Sequence, residues 1–121
     1  MGIPTILVED NETIRATLVP AMEELAGLRV IDFAETASAA ISLLLAKPEW
    51  ELVVVDLFLK DGTGLEVLRA CQARSPAQRV VVLTNYPTVQ MRKRCHELGA
   101  DAFFDKSAEL DAFFDYCIAF G

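Results

Sequence analysis

Soft metal ligands are scarce in this chain. It has one histidine, His96, and three cysteines, Cys71, Cys95 and Cys117, widely spaced and without a CxxC pair. Zinc sites and dithiol redox centres need closely grouped ligands, so neither organises this protein. Thiols scattered through helix-like segments read instead as buried free cysteines in a reducing compartment. Long apolar runs are missing too, none approaching the roughly 18 residues of a membrane span. The start, MGIPTILVEDN, has no basic segment ahead of its apolar stretch, which disfavours a secretory leader, and Met1–Gly2 runs straight into strand-like residues rather than a myristoylation signal. Basic residues are the minority, 11 Lys and Arg against 18 Asp and Glu, for a formal net charge of −7. Such a chain lacks the positive surface that nucleic-acid phosphates require. The expectation is a cytoplasmic protein with no direct contact to nucleic acid or membrane.

Repeats, linkers and low-complexity stretches are also lacking. With 121 residues there is room for one domain, 1–121, and not for two independent cores. A hydrophobic content of 53% is ample for that single core.

What the chain does have is alternation. Short β-branched runs at Thr5–Val8, Arg29–Ala34, Leu52–Asp56, Arg79–Thr84 and Ala102–Asp105 interleave with helix-period segments near Thr13–Leu25, Ala37–Lys47, Gly64–Arg74, Val89–Leu98 and Ala108–Ala119. Five strand–helix units predict an α/β fold, a parallel sheet with helices on both faces. The unalternated apolar stretches VID and LVVV suit strands covered on both sides. Thr63 and Glu66 have capping-box spacing for the third helix, Thr36 can cap the second and Ser107 the last. Gly27 and Gly99 are placed to stop helices, and Pro20 should kink the first.

Chemistry collects at one end of these strands. In a doubly wound (βα)5 sheet of flavodoxin-like order 2-1-3-4-5, the first and third strands are neighbours at the switch point where ligands bind. The first ends in Glu9 and Asp10, the third in Asp56, the fourth in Thr84, and the fifth leads into Lys106. Carboxylates about 4 Å apart repel by roughly 4 kcal/mol per pair at an effective dielectric near 20. A hard divalent cation such as Mg²⁺ would relieve that repulsion. An acid cluster, a cation, an ammonium and a hydroxyl around one pocket suit stabilisation of a phosphoryl group in transfer. Asp56, taken as the carboxylate without a dedicated partner, is the expected nucleophile.

Four stretches in register, VEDN, VVVDLFLKDGTG, VVLTN and GADAFFDKS, resemble the response-regulator receiver domain of the CheY-like superfamily, the phosphoacceptor half of two-component signalling. The similarity runs over essentially the whole chain. It implies that Asp56 accepts a phosphoryl group from a histidine kinase or histidine phosphotransfer protein. It also implies that Glu9, Asp10, Asp56 and the backbone carbonyl of Phe58 hold Mg²⁺, and that Thr84 and Lys106 contact the phosphoryl oxygens. Movement of Thr84 would be coupled to an aromatic switch residue, here Phe103. The protein would be an acceptor assisting its own phosphorylation and dephosphorylation, not an enzyme. It would act on a downstream protein target or a fused output domain, either as a stand-alone receiver or as one cut from a longer chain. The expectation from the sequence is a receiver without a linker or DNA-binding segment of its own.

Several residues depart from the family pattern. Ser107 replaces the proline common after the lysine, Lys60 replaces the usual proline in the loop after the aspartate, and Phe103 replaces the commoner tyrosine. Asn85 is bulkier than the small residue often found there. Phe58 and Tyr86 flank the path of attacking water in the family, so Phe58, Asn85 and Tyr86 are expected to shield the phosphoaspartate and prolong its lifetime. The basic run MRKR, Met91–Arg94, is read either as a solvated face or as the partner of Asp101, Asp105, Asp111 and Asp115 in a homodimer through the fourth and fifth helices. His96 reads as an exposed helix residue. The Phe103–Phe104 and Phe113–Phe114 pairs read as core, with one ring of each turned outward. Two other readings remain: an interaction module working without phosphorylation, and a Mg²⁺-dependent aspartyl-phosphate phosphatase. The second lacks its general acid, since Phe58 stands two residues after Asp56 and transfers no proton.

Overall fold

The computed structural model describes residues 2–120; Met1 and Gly121 lie outside it. In chain order the elements are β1 (Ile3–Val8), α1 (Glu12–Ala26), β2 (Leu28–Ala34), α2 (Ala37–Ala46), β3 (Leu52–Val55), α3 (Gly64–Ala70), β4 (Arg79–Thr84), α4 (Val89–Glu97), β5 (Ala102–Asp105) and α5 (Leu110–Phe120). The strands form one parallel sheet in the order β2-β1-β3-β4-β5. This is the flavodoxin-like architecture expected from the alternation.

Because successive strand residues face opposite sides, the sheet feeds two cores. Ile6, Val8, Val53, Val55, Val80 and Val82 pack with Ala40, Leu44, Val67 and Leu68 of α2 and α3, and with Cys95 of α4. Leu7, Leu52, Val54, Val81 and Leu83 pack with Leu18 and Met22 of α1 and with Phe113 and Cys117 of α5. Covering both faces explains why β3 is apolar without alternation. Strand β2 lies at the sheet's edge, and there the expectation of full coverage fails: Phe33 is 48% exposed. In β5 both rings of the phenylalanine pair are partly buried, Phe103 on one core and Phe104 on the other. Phe113 is fully buried and Phe114 packs beside it, so no ring turns out to solvent as expected.

Tertiary partners reset several helix ends. Asn11 caps α1, its Oδ1 accepting the Ile14 N–H at 2.9 Å, and Gly27 ends it at φ 68°. Pro20 sits on the exposed side of a helix that continues through it, where the carbonyl deprived of a donor faces water. Thr36 caps α2 as expected, accepting from Ala39 N–H at 3.1 Å. Thr63 makes no side-chain cap bond, so the capping box is not formed. Helix α3 stops at Ala70, not Arg74, ahead of Pro76, and Arg74 folds back to the carbonyls of Cys71 and Gln78 at 3.0 Å each. Ser107 does not cap α5, which begins only at Leu110; its hydroxyl donates to Asn85 Oδ1 at 3.0 Å.

All three cysteines are free and buried. Burial pushes the thiols of Cys71 and Cys95 up to about 11 and that of Cys117 to about 12, so they stay protonated packing groups. His96 is exposed, as expected.

Candidate phosphoacceptor site

Backbone pairing brings the acids together. The Asp56 N–H donates to Val8 O at 2.9 Å, which carries the β1–β3 ladder to its carboxyl end. Ligand oxygens of Glu9, Asp10 and Asp56 then all lie within 4.8 Å of one another. Glu9 is only 2% exposed, the other two partly buried. On the far side, Lys106 N–H donates to Thr84 O at 2.8 Å, which fixes the residue after β5 beside the end of β4.

Lys106 reaches across the site. Its Nζ donates to Glu9 Oε1 at 2.5 Å and to Asp56 Oδ2 at 3.0 Å. Asp56 Oδ1 accepts the Leu57 N–H at 2.7 Å, and Glu9 Oε2 accepts the Asn11 N–H at 3.1 Å. Of the three clustered carboxylates, the one with no hydrogen-bond or ion-pair partner is Asp10, not Asp56 as the sequence suggested. The long Lys106 side chain makes the difference, since it spans from β5 to β3 and β1. Burial raises the Glu9 pKa above the ordinary carboxylate range despite that ammonium. For Lys106, burial works against the charge, but the hydrogen bond to Glu9 and the fields of Asp56 and Glu9 outweigh it, and its pKa is raised. One ammonium among three carboxylates leaves negative charge in excess. With only oxygen donors and one unpartnered carboxylate, the cluster fits a hard divalent cation.

Thr84 is fully buried at the end of β4, and its Oγ1 accepts the Tyr86 N–H at 3.2 Å. A hydroxyl that accepts in this way still has its own proton to donate. Phe58 and Tyr86, 47% and 53% exposed, stack with centroids 4.2 Å apart and planes tilted by 54°. Asn85 is held by Ser107. Ser107 with Asn85 and Phe58 with Tyr86 thus join neighbouring loops around Asp56, whereas Lys60 pairs with Glu35 and Phe103 lies under Arg92.

Phe103 lies half-buried beneath Arg92, whose guanidinium is 4.7 Å from the ring centroid. Arg92 also donates to Phe103 O at 3.4 Å and pairs with Glu109 at 2.7 Å, and Glu109 accepts the Asp105 N–H at 2.9 Å. Asp101 pairs with Arg74 at 2.9 Å, and Asp105 Oδ1 accepts the Ser107 N–H at 2.8 Å. Arg92, Asp101 and Asp105 thus all make contacts within the chain.

Two glycines essential to this geometry went unread in the sequence. A Cβ on Gly64 would lie 2.4 Å from Asp56 O, and one on Gly62, at φ 78°, would lie 2.6 Å from Ala37 Cβ. The glycines let α3 start directly beneath the backbone of Asp56. Their adjacency in DGTG was the available signal, but it reads as an ordinary turn.

Comparison with known proteins agrees with this geometry. A family model described as the response regulator receiver domain matches residues 5–117. The photosynthetic apparatus regulatory protein RegA of Rhodobacter capsulatus is 35% identical over 104 residues, 86% of this chain and 55% of that protein. The chain thus spans about half the length of the curated relatives it matches. A response regulator from Burkholderia pseudomallei, solved with a phosphorylated aspartic acid, calcium ion and citrate, superposes with a TM-score of 0.78 at 28% identity, covering 92% of this chain and 64% of that one. A LuxR-family two-component response regulator from Aurantimonas sp. SI85-9A1 gives a TM-score of 0.84 at 25% identity, covering 98% and 86%.

Proposed function

The chain belongs to the response regulator receiver domain family of two-component signalling, and from that premise we propose that Asp56 is its phosphoacceptor. The observation that carries this reading is Lys106 held by Glu9 and Asp56 inside a cluster of three carboxylates at the sheet's carboxyl edge. Asp56 would attack the phosphorus of a phosphohistidine on a histidine kinase or phosphotransfer protein. The P–N bond breaks, the imidazole leaves with the electron pair and takes a proton, and an acyl phosphate forms on Asp56. Lys106 would transfer its hydrogen bonding from the carboxylate to a phosphoryl oxygen, and Thr84 would donate its free hydroxyl proton to another. Glu9, Asp10, Asp56 and the Phe58 carbonyl would hold Mg²⁺, which when bound neutralises charge developing on the phosphoryl oxygens. Phe103 would report the state of Thr84 to the surface of α4, β5 and α5, where a protein target or fused output domain binds. Phe58, Asn85 and Tyr86 would restrict water at the acyl phosphate.

On this reading the chain is a switch rather than a turnover enzyme, and its contacts are with proteins in the cytoplasm rather than with nucleic acid. Among the described residues no helix is long and apolar enough to cross a membrane. The direct test is intact mass after incubation with Mg²⁺ and acetyl phosphate, beside Asp56→Asn. A gain of about one phosphoryl mass in the unsubstituted protein alone, removed by hydroxylamine, is the expected outcome, because an acyl phosphate is open to that nucleophile. A gain that survives in Asp56→Asn overturns the assignment of Asp56. No gain, with no binding of beryllofluoride and Mg²⁺, would favour an interaction module that works without phosphorylation.

A further inference from the structure

Arg15, in the first turns of α1, is a buried cation outside the acid cluster. Its Nη1 donates to the backbone carbonyl of Glu9 at 2.7 Å. Its Nη2 pairs with Glu35 Oε2 at 2.9 Å, and the guanidinium lies 4.1 Å from the centroid of Phe33. Glu35 extends the chain of contacts, since its other oxygen pairs with Lys60 Nζ at 3.3 Å and its carbonyl accepts the Lys60 N–H at 3.2 Å. The next residues continue the tie, with Ala37 N–H donating to Asp61 O at 3.0 Å.

The placement of these partners matters more than their number. Glu9 directly follows β1 and carries a carboxylate of the cluster. Glu35 lies in the β2–α2 loop. Lys60 lies in the loop that leaves Asp56, at the position where the family usually has a proline. Burying a guanidinium costs free energy that an apolar side chain packed on Phe33 would not incur, so its presence calls for directed contacts. Both polar contacts of the Arg15 guanidinium end on segments bordering the acidic pocket. Arginine suits this task because its planar fork can grip two acceptors at once while its face covers a ring.

We propose that Arg15 is a positioning residue for the cation-binding cluster, and that Arg15, Glu35 and Lys60 form a strap fixing the loop after Asp56 relative to the end of β1. The strap takes the place of the rigidity a proline would give that loop. It sets the separation of Glu9 and Asp10 on one wall from Asp56 on the other, and so tunes affinity for the divalent cation before any phosphoryl group arrives. This inference rests on the phosphoacceptor reading above.

The test titrates Mg²⁺ alone into the protein and follows amide NMR shifts of the residues around Asp10 and Asp56. Arg15→Met keeps an apolar stem over Phe33 and removes both polar contacts; Glu35→Gln keeps the shape at a half-exposed position and cuts both ion pairs. Each variant is expected to bind Mg²⁺ about tenfold more weakly, the low end of what outer-shell partners contribute. Arg15→Lys, which keeps the charge and one contact, should recover part of the loss. Glu35→Gln should do this with a melting temperature close to that of the unsubstituted protein, separating positioning from general destabilisation. Unchanged Mg²⁺ affinity in Glu35→Gln and Arg15→Met overturns the strap alone. Absence of Mg²⁺ binding in the unsubstituted protein overturns the metal assignment and the strap with it.

Discussion

At the scale of single residues, the departures from the family pattern are resolved by pairing. Ser107 stands where proline is common and bonds Asn85; Phe58 stacks on Tyr86; Lys60 pairs with Glu35. Each pair joins two loops near Asp56, so on the proposal above these residues would act together on access to the site. On the proposal above, the Phe58–Tyr86 pair is the one that would obstruct water; both rings are about half exposed, and the Tyr86 N–H bonds Thr84 Oγ1. Replacing Phe58 by Asn removes the ring and offers a polar group that can orient water. The phosphorylated form should then lose its phosphoryl group several-fold faster, on the order of 10-fold if water positioning is the controlling effect. The decay of intact phosphoprotein mass with time measures this directly. An unchanged decay rate would show that the stack does not control hydrolysis.

At the scale of elements, the tightest steric demand is where α3 begins. Gly64 N–H donates to Leu57 O at 2.8 Å, and a Cβ there would meet Asp56 O at 2.4 Å and Val55 Cγ1 at 2.9 Å. Neither a backbone carbonyl nor a buried strand side chain can yield cheaply. Gly64→Ala should therefore destabilise the fold by about 1–3 kcal/mol, as overpacked positions do, and displace the backbone that carries Asp56. Denaturant unfolding reports the first effect and phosphorylation by acetyl phosphate the second. The sequence disclosed the strands well, since a strand covered on both faces is an apolar run, and it placed Glu9, Asp10, Asp56, Thr84 and Lys106 at strand ends. It disclosed helix ends less well. Thr63 and Ser107 carry good local capping signals, yet Thr63 makes no cap bond and Ser107 is drawn to Asn85. Contacts between residues far apart in the chain, such as Arg15 with Glu35 or Arg92 with Phe103, leave no local pattern to read.

At the scale of the whole molecule, the question is how a chain of net charge −7 meets a second copy of itself. Of the basic run on α4, Arg92 is used internally with Glu109 and Phe103, which leaves Lys93 and Arg94 exposed. Of the acids expected to face them, Asp111 and Asp115 on α5 remain exposed. A two-fold arrangement of α4 against α5 would use each pairing twice, because a self-complementary interface repeats its contacts. Exposed pairs of this kind contribute little each and are screened by salt, so they choose orientation more than they supply affinity. We predict that beryllofluoride with Mg²⁺ shifts the protein toward a dimer in sedimentation velocity, and that raising ionic strength weakens it. Lys93→Glu with Arg94→Glu should return the complex to monomer. Adding Asp111→Lys and Asp115→Lys to that variant should restore the dimer, because the same contacts then form with their signs exchanged. A protein that stays monomeric at high concentration with the phosphoryl analogue bound would leave this face to a different protein, whose docking surface should then carry acids for Lys93 and Arg94 and bases for Asp111 and Asp115.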